Sequence, residues 1–173
     1  NGTMLIVLTR LALLTGDTDY MGRCSLLAVT FGNEANRMIQ GSGGYVVGVE
    51  YLVKSLMVVV IGHKGNAKTQ ELIRAYWGKP VPNGMVLQIE PGEPLPAQHP
   101  AHGRGMEGGQ PTAYICQAGT CSNGFTTAAA LVHDLMEARD ERRLRSLQKH
   151  LASVKLLILD ELGYVPFTAV GGE

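Results

Sequence analysis

Apolar residues at Met4, Leu5, Leu8, Leu11, Ala12 and Leu14 recur at helical spacing, and Thr15-Gly16-Asp17 supplies a stop. A second helix is predicted from about residue 19 to residue 31. Residues 39–48 hold four glycines and follow neither the helical nor the strand period. Leu56-Met57-Val58-Val59-Val60-Ile61 is an unbroken apolar run closed by Gly62, as a strand buried on both faces requires. Helical spacing resumes near Ala67, runs through Leu72-Ile73 and Tyr76-Trp77, and ends at Lys79-Pro80. Met85 to Ile89 reads as another strand. Residues 90–111 lose all periodicity. They carry Pro91, Pro94, Pro96, Pro100 and Pro111 among five glycines, which predicts a mobile loop or linker. Thr112 to Cys116 reads as a short strand. From Thr126 the composition turns helix-favouring, with Leu131, Leu135 and Ala138, then Leu144, Leu147 and Leu151, and Glu141 is placed to support Arg145. Lys155 to Asp160 is the last predicted strand. The fold class expected is mixed α/β, with short strands flanked by helices.

Composition narrows the possibilities. A chain of 173 residues that is 45% hydrophobic can bury one core or two small ones. Fifteen basic and fifteen acidic side chains leave no net field to draw the whole protein toward nucleic acid or an anionic membrane. The run from Met4 to Leu14 is broken by Arg10 and is too short to span a bilayer, and it lacks the marks of a signal peptide. Cys24, Cys116 and Cys121 are too few for a disulfide scaffold and point to a reducing cytosol. The protein is expected to be soluble and cytoplasmic. Its start at Asn1 rather than Met suggests a piece of a longer protein.

The strongest chemical signal is Leu156-Leu157-Ile158-Leu159-Asp160-Glu161. An apolar strand ending in Asp-Glu is the Walker B pattern. Adjacent carboxylates at a strand end point to opposite sides, so one can face Mg²⁺ and the other an attacking water. The plainer alternative is a core strand ended by a turn. The phosphate loop G-x-x-x-x-G-K-[ST] that should accompany a Walker B strand is absent. Gly62-His63-Lys64-Gly65-Asn66-Ala67-Lys68-Thr69 comes nearest. It follows a buried strand, opens a helix and agrees at Gly62, Lys68 and Thr69, but Ala67 stands where the second glycine belongs, and a Cβ there crowds phosphates. A plain strand-to-helix turn is preferred, with Lys68 and Thr69 the residues to contact nucleotide if it is more than that.

Two other groups of residues carry chemistry. His99-x-x-His102 with Cys116 and Cys121 has the donor count of a His₂Cys₂ zinc site. The preferred reading is two exposed histidines and two half-buried thiols, while a Cys116–Cys121 disulfide would suit an oxidising setting. Arg139, Arg142, Arg143, Arg145 and Lys149 suggest a DNA-contacting face, but Asp134, Glu137, Asp140 and Glu141 interleave with them. A solvated face with internal ion pairs is expected.

The stretch Phe125-Thr126-Thr127-Ala128-Ala129-Ala130-Leu131-Val132-His133-Asp134-Leu135-Met136-Glu137-Ala138-Arg139, followed by L-L-I-L-D-E-L-G-Y-V-P, resembles the IstB family, the ATP-binding helpers of IS21-type transposition. The resemblance covers about residues 124–173. It implies a partial AAA+-type P-loop segment that binds ATP with Mg²⁺, oligomerises on DNA and assists a transposase. Asp160 would then hold Mg²⁺ through water and Glu161 would polarise the hydrolytic water. The family's phosphate loop is missing, and Lys68 lies about 90 residues before Asp160, further than the family arrangement suggests. Residues 1–123 are similar instead to the C-terminal end of YyaL-type thioredoxin-domain proteins, through N-G-T-M-L, R-L-A-L-L-T-G-D, M-V-V-V-I-G, P-G-E-P-L-P and P-T-A-Y-I-C-Q-A-G-T-C-S-N. They lack the thioredoxin C-x-x-C, so no redox activity is implied. Two regions, 1–123 and 124–173, are therefore expected to meet near Asn123-Gly124, as in a fusion. The leading expectation is an incomplete IstB-like ATP-binding segment that is inactive alone. The alternative is a noncatalytic structural fragment of the YyaL type.

Overall fold

The computed structural model describes residues 1–37 and 42–153, without the side chains of residues 33, 34, 36 and those from 141 onward. It divides into two compact units, Asn1–Met136 and Glu137–Glu173. The strand expected at Lys155 to Asp160 lies outside the described residues.

Three helices begin the first unit: α1 (Gly2–Thr15), α2 (Thr18–Arg37) and α3 (Gly43–Lys54). The left-handed Gly16, at φ 71°, stops α1 and donates its N–H to the Ala12 carbonyl at 2.9 Å. Helix α2 continues past its expected end at residue 31. Helix α3 occupies most of the glycine-rich stretch that has no sequence period. Glycine is a poor helix former, and the reason for it here is tertiary. A Cβ on Gly48 would sit 2.6 Å from the Gly2 carbonyl oxygen, and one on Gly2 would overlap the Gly44 backbone. The two helices touch main chain to main chain. Leu5, Thr9 and Ala12 of α1 are buried, with the Thr9 hydroxyl 3.5 Å from the buried Cys24 sulfur. Arg10 Nε donates to the Tyr51 hydroxyl at 3.0 Å, which ties α1 to α3 by side chains as well.

Strand β1 (Leu56–Ile61), helix α4 (Ala67–Trp77) and strand β2 (Gly84–Ile89) form a βαβ unit, and β3 (Thr112–Gln117) with β4 (Thr120–Cys121) adds a hairpin. The sheet order is β2-β1-β3-β4. β1 pairs with β2 in parallel, from Leu56 opposite Gly84 to Ile61 opposite Ile89, and with β3 antiparallel, from Met57 opposite Cys116 to Ile61 opposite Thr112. All six residues of β1 are buried, as its unbroken apolar run demands. Strand β4 is too short to leave a sequence pattern.

Met57, Val59 and Ile61 share one face of the sheet with Ile89, Tyr114 and Cys116. Residues 90–111 carry no helix or strand, as expected, but they are a roof over this face rather than a linker. Ala101 is fully buried in the cluster, and Leu95 and Met106 pack against it. Turns hold the roof together, through His99 N–H to Pro96 O, His102 N–H to His99 O and Arg104 N–H to Ala101 O. The Tyr114 hydroxyl reaches up to Gly105 O at 2.6 Å.

Helix α5 (Ala128–Ser153) follows Phe125, whose N–H and C=O both bond to Ala113 of β3 at 2.8 Å. Leu131 and Leu135 are fully buried in the first unit. Among the described residues no helix is long and apolar enough to cross a membrane.

The glycine contact between α1 and α3 is directly testable. Gly48→Ala should lose about 1–3 kcal/mol in urea unfolding, because the methyl overpacks a backbone contact. Gly44→Ala, whose Cβ meets nothing within 4 Å, should be neutral or gain up to about 1 kcal/mol. Equal effects of the two substitutions would exclude the close approach as the reason for glycine.

Candidate binding site at the ends of the parallel strands

Strands β1 and β2 run in parallel and finish side by side at Ile61 and Ile89, the edge where open α/β sheets receive ligands. Next to Ile61, the turn from Gly62 to Asn66 leads into α4, with Asn66 capping the helix by accepting the Lys68 N–H at 2.8 Å. Next to Ile89 stands Glu90. Its carboxylate folds back onto the turn, accepting the Lys64 N–H at 3.0 Å and meeting His63 Nδ1 at 3.0 Å. The Lys64 amide, then the His63 contact, hold the Glu90 carboxyl below its ordinary value, so it stays an anion.

This geometry bears on Lys68 and Thr69. The turn does sit between a buried strand and a helix start. Its Lys64 amide, however, is already taken by the protein's own carboxylate. Lys68 Nζ reaches Gln110 Oε1 at 3.1 Å. The Thr69 hydroxyl is fully buried beneath Gly62, where it has no hydrogen-bond partner among the described residues. A magnesium ion needs such an oxygen exposed beside phosphate. The turn does not fit a triphosphate, so no catalytic step is drawn through it.

Asp160 and Glu161 lie outside the described residues. Cys116 and Cys121 face each other across the β3–β4 hairpin and are joined by a disulfide, not present as the two thiols expected. A disulfide sulfur is not the thiolate that zinc requires. The histidines also part company. His99 is 2% exposed, against the expectation of an exposed ring, and its Nδ1 accepts the Ala101 N–H at 3.1 Å. His102 is exposed, and its Nδ1 faces the Leu95 carbonyl at 2.9 Å. Of the basic residues on α5, Arg139 pairs with Asp140 at 2.9 Å, an ion pair internal to the helix. The side chains of Arg142, Arg143, Arg145 and Lys149 are outside the described set.

A cavity of about 310 Å³ opens at the strand ends, bounded by Ile61, Ile89 and Leu95 with Glu90, Glu93, His102 and Arg104. Glu90, Glu93 and Arg104 were missed in the sequence because they come from a loop without period, whereas His102 was singled out there as a candidate zinc ligand. The one available signal was Glu90, the first polar residue after a strand.

Residues 112–173 match the family model of IstB-like ATP binding proteins. The match supports the resemblance to an ATP-binding family and places its start at Thr112, the first residue of β3, twelve positions upstream of Gly124. Neither a curated protein nor a solved structure matches the chain.

Reducing the Cys116–Cys121 bond, or replacing both residues by alanine, should cost about 2 kcal/mol of stability, the value for a closed loop of this size. Thiol titration of the denatured, unreduced protein should find one free thiol of three. Burial, aided by nearby His102, lowers the His99 imidazole below its ordinary value near 6.5. Protonation would also set a proton against the Ala101 N–H. The unfolded chain therefore binds this proton more readily, and the stability due to neutral His99 is present above about pH 6.5 and lost as pH falls through the depressed folded value. Between pH 7.5 and 5.5, His99→Asn should lose stability less steeply than the wild type. Equal slopes would dissociate His99 from the effect.

Proposed function

We propose that residues 112–173 are part of an IstB-like ATP-binding region, and that this chain by itself turns over no ATP and binds it weakly. The observation that carries this reading is the family match over residues 112–173, which contains the apolar run ending in Asp160 and Glu161. By resemblance, Asp160 is the Mg²⁺ ligand and Glu161 the residue that orients water. Mg²⁺, when bound, neutralises phosphate charge. Walker B carboxylates touch nucleotide mainly through that ion and give little anchoring of their own. The anchoring belongs to a glycine cradle, and the nearest approach to one, Gly62 to Thr69, is closed by Glu90. Transposase and DNA are the partners this reading expects, with oligomerisation on DNA; the cytoplasmic location expected from free thiols loses that support, because Cys116 and Cys121 are bonded to each other.

A second reading, for residues 1–123, is a noncatalytic module of the YyaL type. It rests on the resemblance of residues 1–123 alone, which carry no C-x-x-C.

Phosphate release from ATP and Mg²⁺, together with titration of a fluorescent ATP analogue, tests the first reading. Expected are no turnover above background and no saturation below about 1 mM nucleotide, a binding energy near 4 kcal/mol or less. Turnover that Glu161→Gln abolishes would overturn the claim of inactivity. A wild-type protein that binds the analogue tightly through Lys68 would overturn the account of the closed turn.

A further inference from the structure

Strand β2 is the outermost strand of the sheet, and no described element pairs with its outer side. The ladder to β1 fixes which of its backbone groups look outward. The Leu56 N–H donates to Asn83 O and the Gly62 N–H to Ile89 O, both at 3.1 Å. With Leu56 opposite Gly84 in a parallel ladder, that phase gives the odd-numbered residues of β2 to β1. It turns Gly84, Val86, Gln88 and Glu90 away. Gly84 and Glu90 are closed within the chain. The Gly84 N–H donates to Val81 O at 3.2 Å, and the Glu90 N–H to Glu93 Oε2 at 3.1 Å. Val86 and Gln88 each keep an open N–H and C=O among the described residues.

The opposite edge is protected. Strand β4 is two residues long. The Ser122 N–H bonds to Ile115 O, so the Cys121 carbonyl points away from β3, and Arg104 covers it with a 3.2 Å hydrogen bond. β2 has six residues, with no charge, no proline and an unbroken register. They are half-buried from Gly84 to Gln88, although β1 beside them is buried throughout. A strand edge of this kind is a template for another strand.

We propose that a second copy of this chain docks there, its β2 antiparallel to the first about a two-fold axis at Leu87. The open groups choose the register. With Val86 opposite the partner's Gln88, and Gln88 opposite the partner's Val86, every open N–H and C=O finds a partner. An axis at Val86 or Gln88 instead sets a carbonyl against the Gly84 or Glu90 N–H, which is already bonded. Leu87 then meets its own copy, and Met85 lies opposite the partner's Ile89, on the face that already packs against the apolar cluster. Charge selects the direction. Exposed Lys79 precedes the strand, and exposed Glu93 follows it, with its carboxylate at the Glu90 amide on this edge. Antiparallel copies bring the lysine end of each to the glutamate end of the other, whereas parallel copies oppose like charges. Pairing of six-residue strands buries less than the roughly 800 Å² per partner of a standard interface, so the dimer is weak and concentration-dependent. This edge lies outside residues 112–173, so the pairing is independent of any oligomerisation through the matched region.

Sedimentation equilibrium of the full chain, from about 10 µM to about 1 mM, should show a monomer–dimer equilibrium with Kd of order 100 µM. Val86→Pro removes an outward N–H and spares the ladder to β1, and it should weaken the dimer roughly tenfold or more. Lys79→Glu and Glu93→Lys should each weaken it about threefold, and the double variant should return to near the wild-type Kd. These charge variants leave the strand itself intact, so they decide the matter if Val86→Pro unfolds. A chain that stays monomeric at the highest concentration would overturn the assignment. So would a dimer that folded Val86→Pro leaves at wild-type strength, which would belong to another surface, or a double charge variant no tighter than the single ones.

Discussion

The structure depends on the burial of β1. Six consecutive apolar residues have no polar side chain to offer water, so the strand is stable only with neighbours on both edges and layers on both faces. Both edges are filled, by β2 in parallel and by β3 antiparallel. One face is closed by the loop of residues 90–111 with Leu13 of α1. The parallel pairing needs a crossover, and α4 provides it. Every feature of the candidate site follows from where those two parallel strands stop.

At that edge, the turn before α4 presents backbone N–H groups and a helix start, which favour an anion. The protein supplies the anion itself. Glu90 is the residue after β2, and the parallel register of Ile61 with Ile89 sets it beside the turn. A carboxylate held in this way rigidifies the turn and removes an amide that a phosphate would need. It also leaves an adjoining cavity bounded by Glu90, Glu93, His102 and Arg104.

The matched region and the first compact unit overlap. The IstB-like match begins at Thr112, while the unit continues to Met136. β3, β4 and the first turns of α5 therefore belong to both. The reason is physical: β3 completes the burial of β1, Phe125 is bonded to Ala113, and Leu131 and Leu135 enter the interior. Residues matched to an ATP-binding family thus serve here to close a sheet whose other strands lie outside the match.

The helical periods of α1, α4 and α5, the strands β1 to β3 and the aperiodic loop are all legible in the sequence, because each is decided by local spacing or by proline and glycine. The roles proposed for Asp160 and Glu161 come from a sequence motif alone. Tertiary contact alone decided the rest. Helix α3 forms through glycines whose low propensity is outweighed by a main-chain contact with α1. The loop of residues 90–111 became a roof because the face of β1 beneath it had to be covered. His99 was buried and Cys116 was bonded to Cys121 by cross-strand register, a relation with no spacing rule. Glu90, Glu93, His102 and Arg104 came together because strand ends and a loop converge in space, and one-dimensional spacing does not record convergence.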